Sequence, residues 1–157
     1  MLKINSKISV NISLVLTAVM FAGALALAFF MPTLVEYMLG LPDLNGALLD
    51  LSTYQRTVVY IIAYAELALM LLGLGMLFAL LLLVQKEKVF THSAVNLIRY
   101  ISWCLIIMGV IMASLTFCSV IALVIGAAVM FFGLTIRVVK NVIETAVILK
   151  EENDLTV

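Results

Sequence analysis

Charge is the scarcest property of this chain. Nine basic and nine acidic residues make up 11% of its 157 positions, while 66% are hydrophobic, and the mean hydropathy is +1.28. A soluble domain carries roughly a quarter charged residues, so this composition belongs to the membrane class. The net charge of zero removes any overall attraction to nucleic acid, and no direct nucleic-acid binding is expected. Cysteine is nearly absent. Cys104 and Cys118 share one apolar run, and on a single helix they lie about 21 Å apart along the axis. No disulfide spans that distance, so both read as small buried residues. His92 is the only histidine and has no second metal ligand nearby. No nucleophile elbow, zincin helix, phosphate loop or dinucleotide fingerprint occurs. There is no intramembrane carboxylate pair and no Ser/His constellation. Neither an enzyme nor a cofactor-binding protein is expected.

What the chain does have is long apolar runs. Val10–Met31 has no charge, Val58–Val84 has only Glu66, and Ile101–Ile136 has none over 36 residues. A bilayer core of about 30 Å takes roughly 20 helical residues. The first two runs are single spans, the first ending at Pro32. The third would be about 54 Å long as one helix and is expected to fold back near Leu115–Ser119, although "SLTFCS" contains neither Gly nor Pro. Charge asymmetry favours this hairpin over one overlong helix. With four spans, Lys3, Lys7, Lys86, Lys88, Arg99, Arg137, Lys140 and Lys150 lie inside and only Arg56 outside, as the positive-inside rule requires. Lys3 and Lys7 with Ala24-Leu25-Ala26 imitate a signal peptide, but the run continues through Phe29-Phe30-Met31 and reads as a first span.

The expected fold is therefore all-α: one polytopic domain over 1–157, four transmembrane helices in a bundle, both termini inside, the last helix extended into the cytoplasm. The spans fall at about 10–31, 58–84, 97–116 and 119–140. An outer loop covers 32–57, an inner loop 85–96 and a helical tail 141–157. Tyr54, Tyr60, Tyr100 and Trp103 flank span ends as an interfacial belt would. Small residues recur at four-residue spacing: Ala18, Ala22 and Ala26; Gly75 and Ala79; Gly109 and Ala113; Ala122 and Gly126. Such rows let helices approach closely in lipid. Packing within the bundle is the ordinary use, and Ala18–Ala22–Ala26 is the candidate homodimer face.

Few residues invite chemistry. Glu66 lies two turns inside the second span, where a carboxylate is costly unless paired or protonated. It is either a proton, cation or ligand site, or a neutral group hydrogen-bonded to a hydroxyl on a neighbouring helix. Tyr60, Tyr64 and Arg56 lie on its outer flank. The outer loop carries Glu36, Asp43, Asp50 and Arg56 and reads as a solvated lid with turn chemistry in "GLPDLNG". In the inner segment "QKEKVFTHSAVNLIRYISW", Thr91 reads as a helix N-cap, and His92 as an exposed residue with the intrinsic pKa of a pH sensor. Lys86, Lys88, Thr91 and Arg99 make this segment a candidate docking element.

The tail, "RVVKNVIETAVILKEENDLTV", keeps helical spacing. Val139, Val142, Ile143, Ala146 and Val147 form an apolar stripe, with Arg137, Lys140, Asn141, Glu144 and Glu151 opposite. Lys140 and Glu144 can pair at i,i+4. Arg137-Val138-Val139-Lys140-Asn141 and the closing Lys150-Glu151-Glu152-Asn153-Asp154-Leu155-Thr156 resemble the end of the small bacterial membrane proteins of the domain of unknown function 2975 family. "VFTHSAVNLIRYISW" is similar to that family's Phe-Thr cap and following helix, but departs at His92, Ser93 and Ala94, where acids or asparagine are usual. The resemblance implies a multi-pass protein of the bacterial cell membrane, with no established activity. It also implies a small cytoplasmic helix-turn-helix regulator as partner. On that view Arg137, Lys140, Asn141, Glu144, Lys150, Glu151, Glu152, Asn153 and Asp154 form a docking tail. A small transporter, a channel component or a self-protection protein against membrane-active peptides is the alternative, and it rests on Glu66.

Overall fold

The computed structural model describes residues 6–40, 52–86, 90–117 and 119–154. Four helices occupy them: α1 (Ser6–Leu39), α2 (Thr53–Gln85), α3 (His92–Ser114) and α4 (Val120–Asp154), with a single 3-10 turn at Leu115–Phe117 between the last two. No strand occurs among the described residues. All four helices are long and apolar enough to cross a membrane. Many of their large apolar side chains are exposed and few are fully buried, a surface that a monomeric soluble protein rarely carries.

The helix ends are specified locally. Ser52 and Gln55 form a reciprocal capping box at the start of α2: the Ser52 hydroxyl accepts from the Gln55 N–H, and the Gln55 side chain accepts from the Ser52 N–H. Thr91 caps α3 by accepting from the Ala94 N–H at 3.4 Å. The turn between α3 and α4 uses hydroxyls where Gly or Pro is more common. Ser114 and Thr116 donate to the carbonyls of Ile111 and Ala113, and Ser119 accepts from the Ile121 N–H. These bonds satisfy groups that a helix end leaves open.

Two boundaries differ from the sequence expectation. α1 does not stop at Pro32 but runs through it to Leu39. Beyond the proline, Val35 and Leu39 are buried against Val59 of α2; that packing offsets the hydrogen bond the proline ring removes. The expected outer loop over 32–57 is accordingly shorter, because α2 already begins at Thr53. Asp43 and Asp50 lie outside the described residues.

Packing runs in a row: α1 on α2, α2 on α3, α3 on α4. Asn11 accepts from the Gln85 side chain at 3.1 Å, and Leu115 packs on the Val35–Leu39–Val59 cluster. Successive helices therefore alternate in direction, and the start of α1 and the end of α4 lie at the same end of the bundle.

The row is tightest between α3 and α4. A Cβ on Gly109 would sit 2.7 Å from the Gly126 carbonyl oxygen and 2.8 Å from the Met130 nitrogen; one on Gly126 would sit 2.7 Å from the Ala113 nitrogen. The buried Ser102 hydroxyl donates to the Gly133 carbonyl at 3.0 Å. Two of the four small-residue rows are thus consumed by this hairpin. The other two are not: Ala18, Ala22 and Ala26 are exposed, and a Cβ on Gly75 would meet nothing within 4 Å.

Gly109→Ala is expected to lower stability by about 1–3 kcal/mol, the range for forcing a methyl into a filled contact. Gly75→Ala is expected to be neutral or slightly stabilising, since alanine is the better helix former. Thermal unfolding of both variants in the same mild detergent checks the contrast.

Candidate functional site

The uncharged part of α4 ends at Ile136. From there to Glu151 the helix does not project alone; it lies along the first half of α3. Three polar contacts join the two helices, at seven-residue spacing on α4. Arg137 lies over the Trp103 ring, its Cζ 4.6 Å from the centroid. Glu144 accepts from Arg99 at 3.0 Å. Glu151 pairs with His92 Nε2 at 3.0 Å. Between the last two, Val95 and Val147 are both almost fully buried. α4 contributes one rung every two turns, and the antiparallel direction of α3 supplies partners in reverse order.

Glu144 is the hub of the charged end. Lys140, one turn back, donates to its second oxygen at 2.6 Å, the i,i+4 pair legible in the sequence. The Lys140 side chain is only 12% exposed, so its stem is packed while its head reaches the carboxylate. The hydrogen bond from Lys140 holds the Glu144 carboxyl below the usual carboxylate range; the charges of Lys140 and Arg99 act in the same direction, against an opposing push from desolvation.

The remaining predicted docking residues are placed less centrally. Asn141 is exposed, and its backbone carbonyl accepts from Thr145. Lys150, Glu152 and Asn153 are exposed on the last turns of α4, and Asp154 ends the helix. Lys86 caps α2, its N–H bonded to the Leu82 carbonyl. Lys88 lies outside the described residues. Three pairings across the hairpin were not foreseen: the sequence reading makes His92 an exposed residue, Trp103 a belt residue and Arg99 an inner-loop docking residue, with Glu144 paired only to Lys140. The signal that points to this face was the spacing of Arg137, Glu144 and Glu151 on one side of a helix.

Glu66 sits apart from this end. Helical spacing places Ala63 and Met70 one turn to either side, and these pack on the Val35–Leu39–Val59 and Ala24–Leu67–Leu74 clusters respectively. Its Oε1 is buried and has no hydrogen-bond partner among the described residues, so the expected bond from a neighbouring hydroxyl is not made to this oxygen. The polar flank assigned to it is turned elsewhere: Tyr60 donates to Glu36 at 2.7 Å, and Arg56 pairs with Glu36 at 3.4 Å. Glu36 was expected in a solvated lid. The continuation of α1 past Pro32 brings it to the start of α2 instead. No group of three or more potential metal ligands occurs among the described residues.

Four membrane-length apolar helices, ending in a charged antiparallel hairpin, define a multi-pass helical membrane protein. The chain matches the family described as "Protein of unknown function (DUF2975)" over residues 5–157, and it belongs to that family. No curated protein and no solved structure matches it.

The lowered Glu144 value fixes a pH dependence. The stabilisation of α4 by this anion is complete above the ordinary carboxylate range and is lost as pH falls through the depressed native value. Amide exchange across 140–154 is expected to accelerate on acidification beyond the intrinsic pH dependence of exchange. Glu144→Gln is expected to exchange faster at neutral pH and to lack that acid step.

Proposed function

We propose that this chain is a membrane-embedded regulatory partner, whose charged hairpin end holds or releases a small cytoplasmic protein. The family resemblance points to a regulator of the helix-turn-helix class. The observation that carries the proposal is the ordering of the charged end. Its groups sit on two packed helices, with Glu144 and Glu151 anchored to α3 and Lys150 and Glu152 exposed beside them. A loose solubilising tail needs no such partners. A DNA-binding domain is basic where it meets phosphate, and the acids at 151, 152 and 154 suit that face. The bacterial cell membrane, with both termini in the cytoplasm, is the setting that the distribution of Lys and Arg supports. The exposed Ala18, Ala22 and Ala26 leave α1 a face for a second copy.

The test is a pull-down of the detergent-solubilised protein against the products of neighbouring genes. Removal of 150–157 is expected to reduce recovery of the partner severalfold. Recovery equal to that of the full chain would eliminate the tail from the interaction.

A second reading has its own observation, the unpartnered buried oxygen of Glu66. A carboxyl oxygen in this position can take a proton or a cation, as a small transporter or a self-protection protein would require. Glu66→Gln is expected to abolish ion movement or resistance in cells if this reading holds. Wild-type behaviour of that variant would end its proton-coupled form.

A further inference from the structure

We propose that Arg137, stacked on Trp103, is a binding site for the headgroup phosphate of an anionic membrane lipid. The site follows from charge, depth and exposure together. Arg137 is the first charged residue after the uncharged stretch that begins at Ile101, so it stands where the hydrocarbon ends. Arg137 is an exposed residue and has no carboxylate partner among the described residues. It rests instead on the Trp103 ring, which fixes its plane while leaving its N–H donors open. Trp103 is itself 45% exposed and Tyr100 58% exposed; both are residue types that favour the headgroup level.

The surrounding charge is unbalanced. Arg99 and Lys140 flank the site and share the single carboxylate of Glu144, so three cations face one anion. The next carboxylate in an ion pair along α4, Glu151, is engaged by His92. The excess positive charge complements a phosphodiester. A planar guanidinium suits two phosphate oxygens better than an ammonium does. Ile107, one turn from Trp103, and Val138, next to Arg137, are exposed apolar residues; an occupant beside them meets an apolar surface that suits a lipid and not a soluble anion.

Trp103 is the only tryptophan, so its emission reports on this site alone. The full chain is reconstituted in phosphatidylcholine bilayers, and quenching of Trp103 by brominated phosphatidylglycerol is compared with quenching by brominated phosphatidylcholine at equal mole fractions. The association constant for the anionic lipid is expected to exceed the zwitterionic one by about fivefold, the factor that one cation at a membrane surface contributes. Arg137→Gln is expected to bring the ratio close to one and Arg137→Lys to an intermediate value. The ratio cancels any change in baseline emission caused by loss of the stacked guanidinium. Inorganic phosphate added to the phosphatidylcholine sample is expected to leave emission unchanged. Equal association constants in the wild type overturn the proposal without reference to any variant, as does a preference that survives Arg137→Gln. A response to inorganic phosphate matching that to the anionic lipid overturns the lipid as occupant.

Discussion

The backbones of α3 and α4 meet at Gly109, Gly126 and Gly133, at distances that leave no room for a methyl group. In lipid there is no hydrophobic gain from pressing one apolar helix against another, because the acyl chains are equally apolar; close backbone contact supplies the attraction instead. Once this contact is made, much else follows. The approach at Gly133 puts its carbonyl within reach of the Ser102 hydroxyl. The same register, continued toward the charged end, brings Arg137 over Trp103, Glu144 to Arg99 and Glu151 to His92. These polar contacts are largely exposed and contribute little individually to stability. Their role is to fix which residues face each other and to keep the last turns of α4 on α3.

Much of this was legible in the sequence. The three apolar runs, the cap at Thr91, the Lys140–Glu144 pair and the unbroken course of α4 all depend on local spacing or composition. The turn at Leu115–Phe117 was also readable, but from length and charge, since its own residues carry no Gly or Pro; the hydroxyls of Ser114, Thr116 and Ser119 do the capping. The capping box at Ser52–Gln55 has a local Ser-x-x-Gln pattern that the expected span start at 58 passed over, and it marks the start of α2.

What was not legible depends on pairing between distant segments. Pro32 is a helix breaker by its chemistry, and only the burial of Val35 and Leu39 against Val59 carries the helix past it. That continuation moves Glu36 onto α1 and gives it Arg56 and Tyr60 as partners, which in turn strips Glu66 of the flank the sequence assigned to it. The course of α1 past Pro32 thus decides the polar contacts at one end of the α1–α2 pair. His92 and Trp103 were opaque for a related reason: each is defined by a residue about 35–60 positions away, and the seven-residue spacing on α4 marks a face without naming its partners on α3.

The two halves of the molecule are built to different tolerances. The α3–α4 hairpin is filled to backbone contact and carries the three cross-helix rungs. Between α1 and α2, Ala18, Phe21, Gly75 and Phe78 line an open apolar cleft, and Gly75 has free space around it. Glu66 belongs to this looser half, with one oxygen buried and unbonded. A buried polar group without a partner is a cost the fold must carry, and a loosely packed pair can shift to relieve it more cheaply than a filled one. The α1–α2 pair is therefore the part of the fold best able to adjust around Glu66. The link between the halves is α2 against α3, with Leu115, in the turn after α3, seated on the α1–α2 cluster of Val35, Leu39 and Val59.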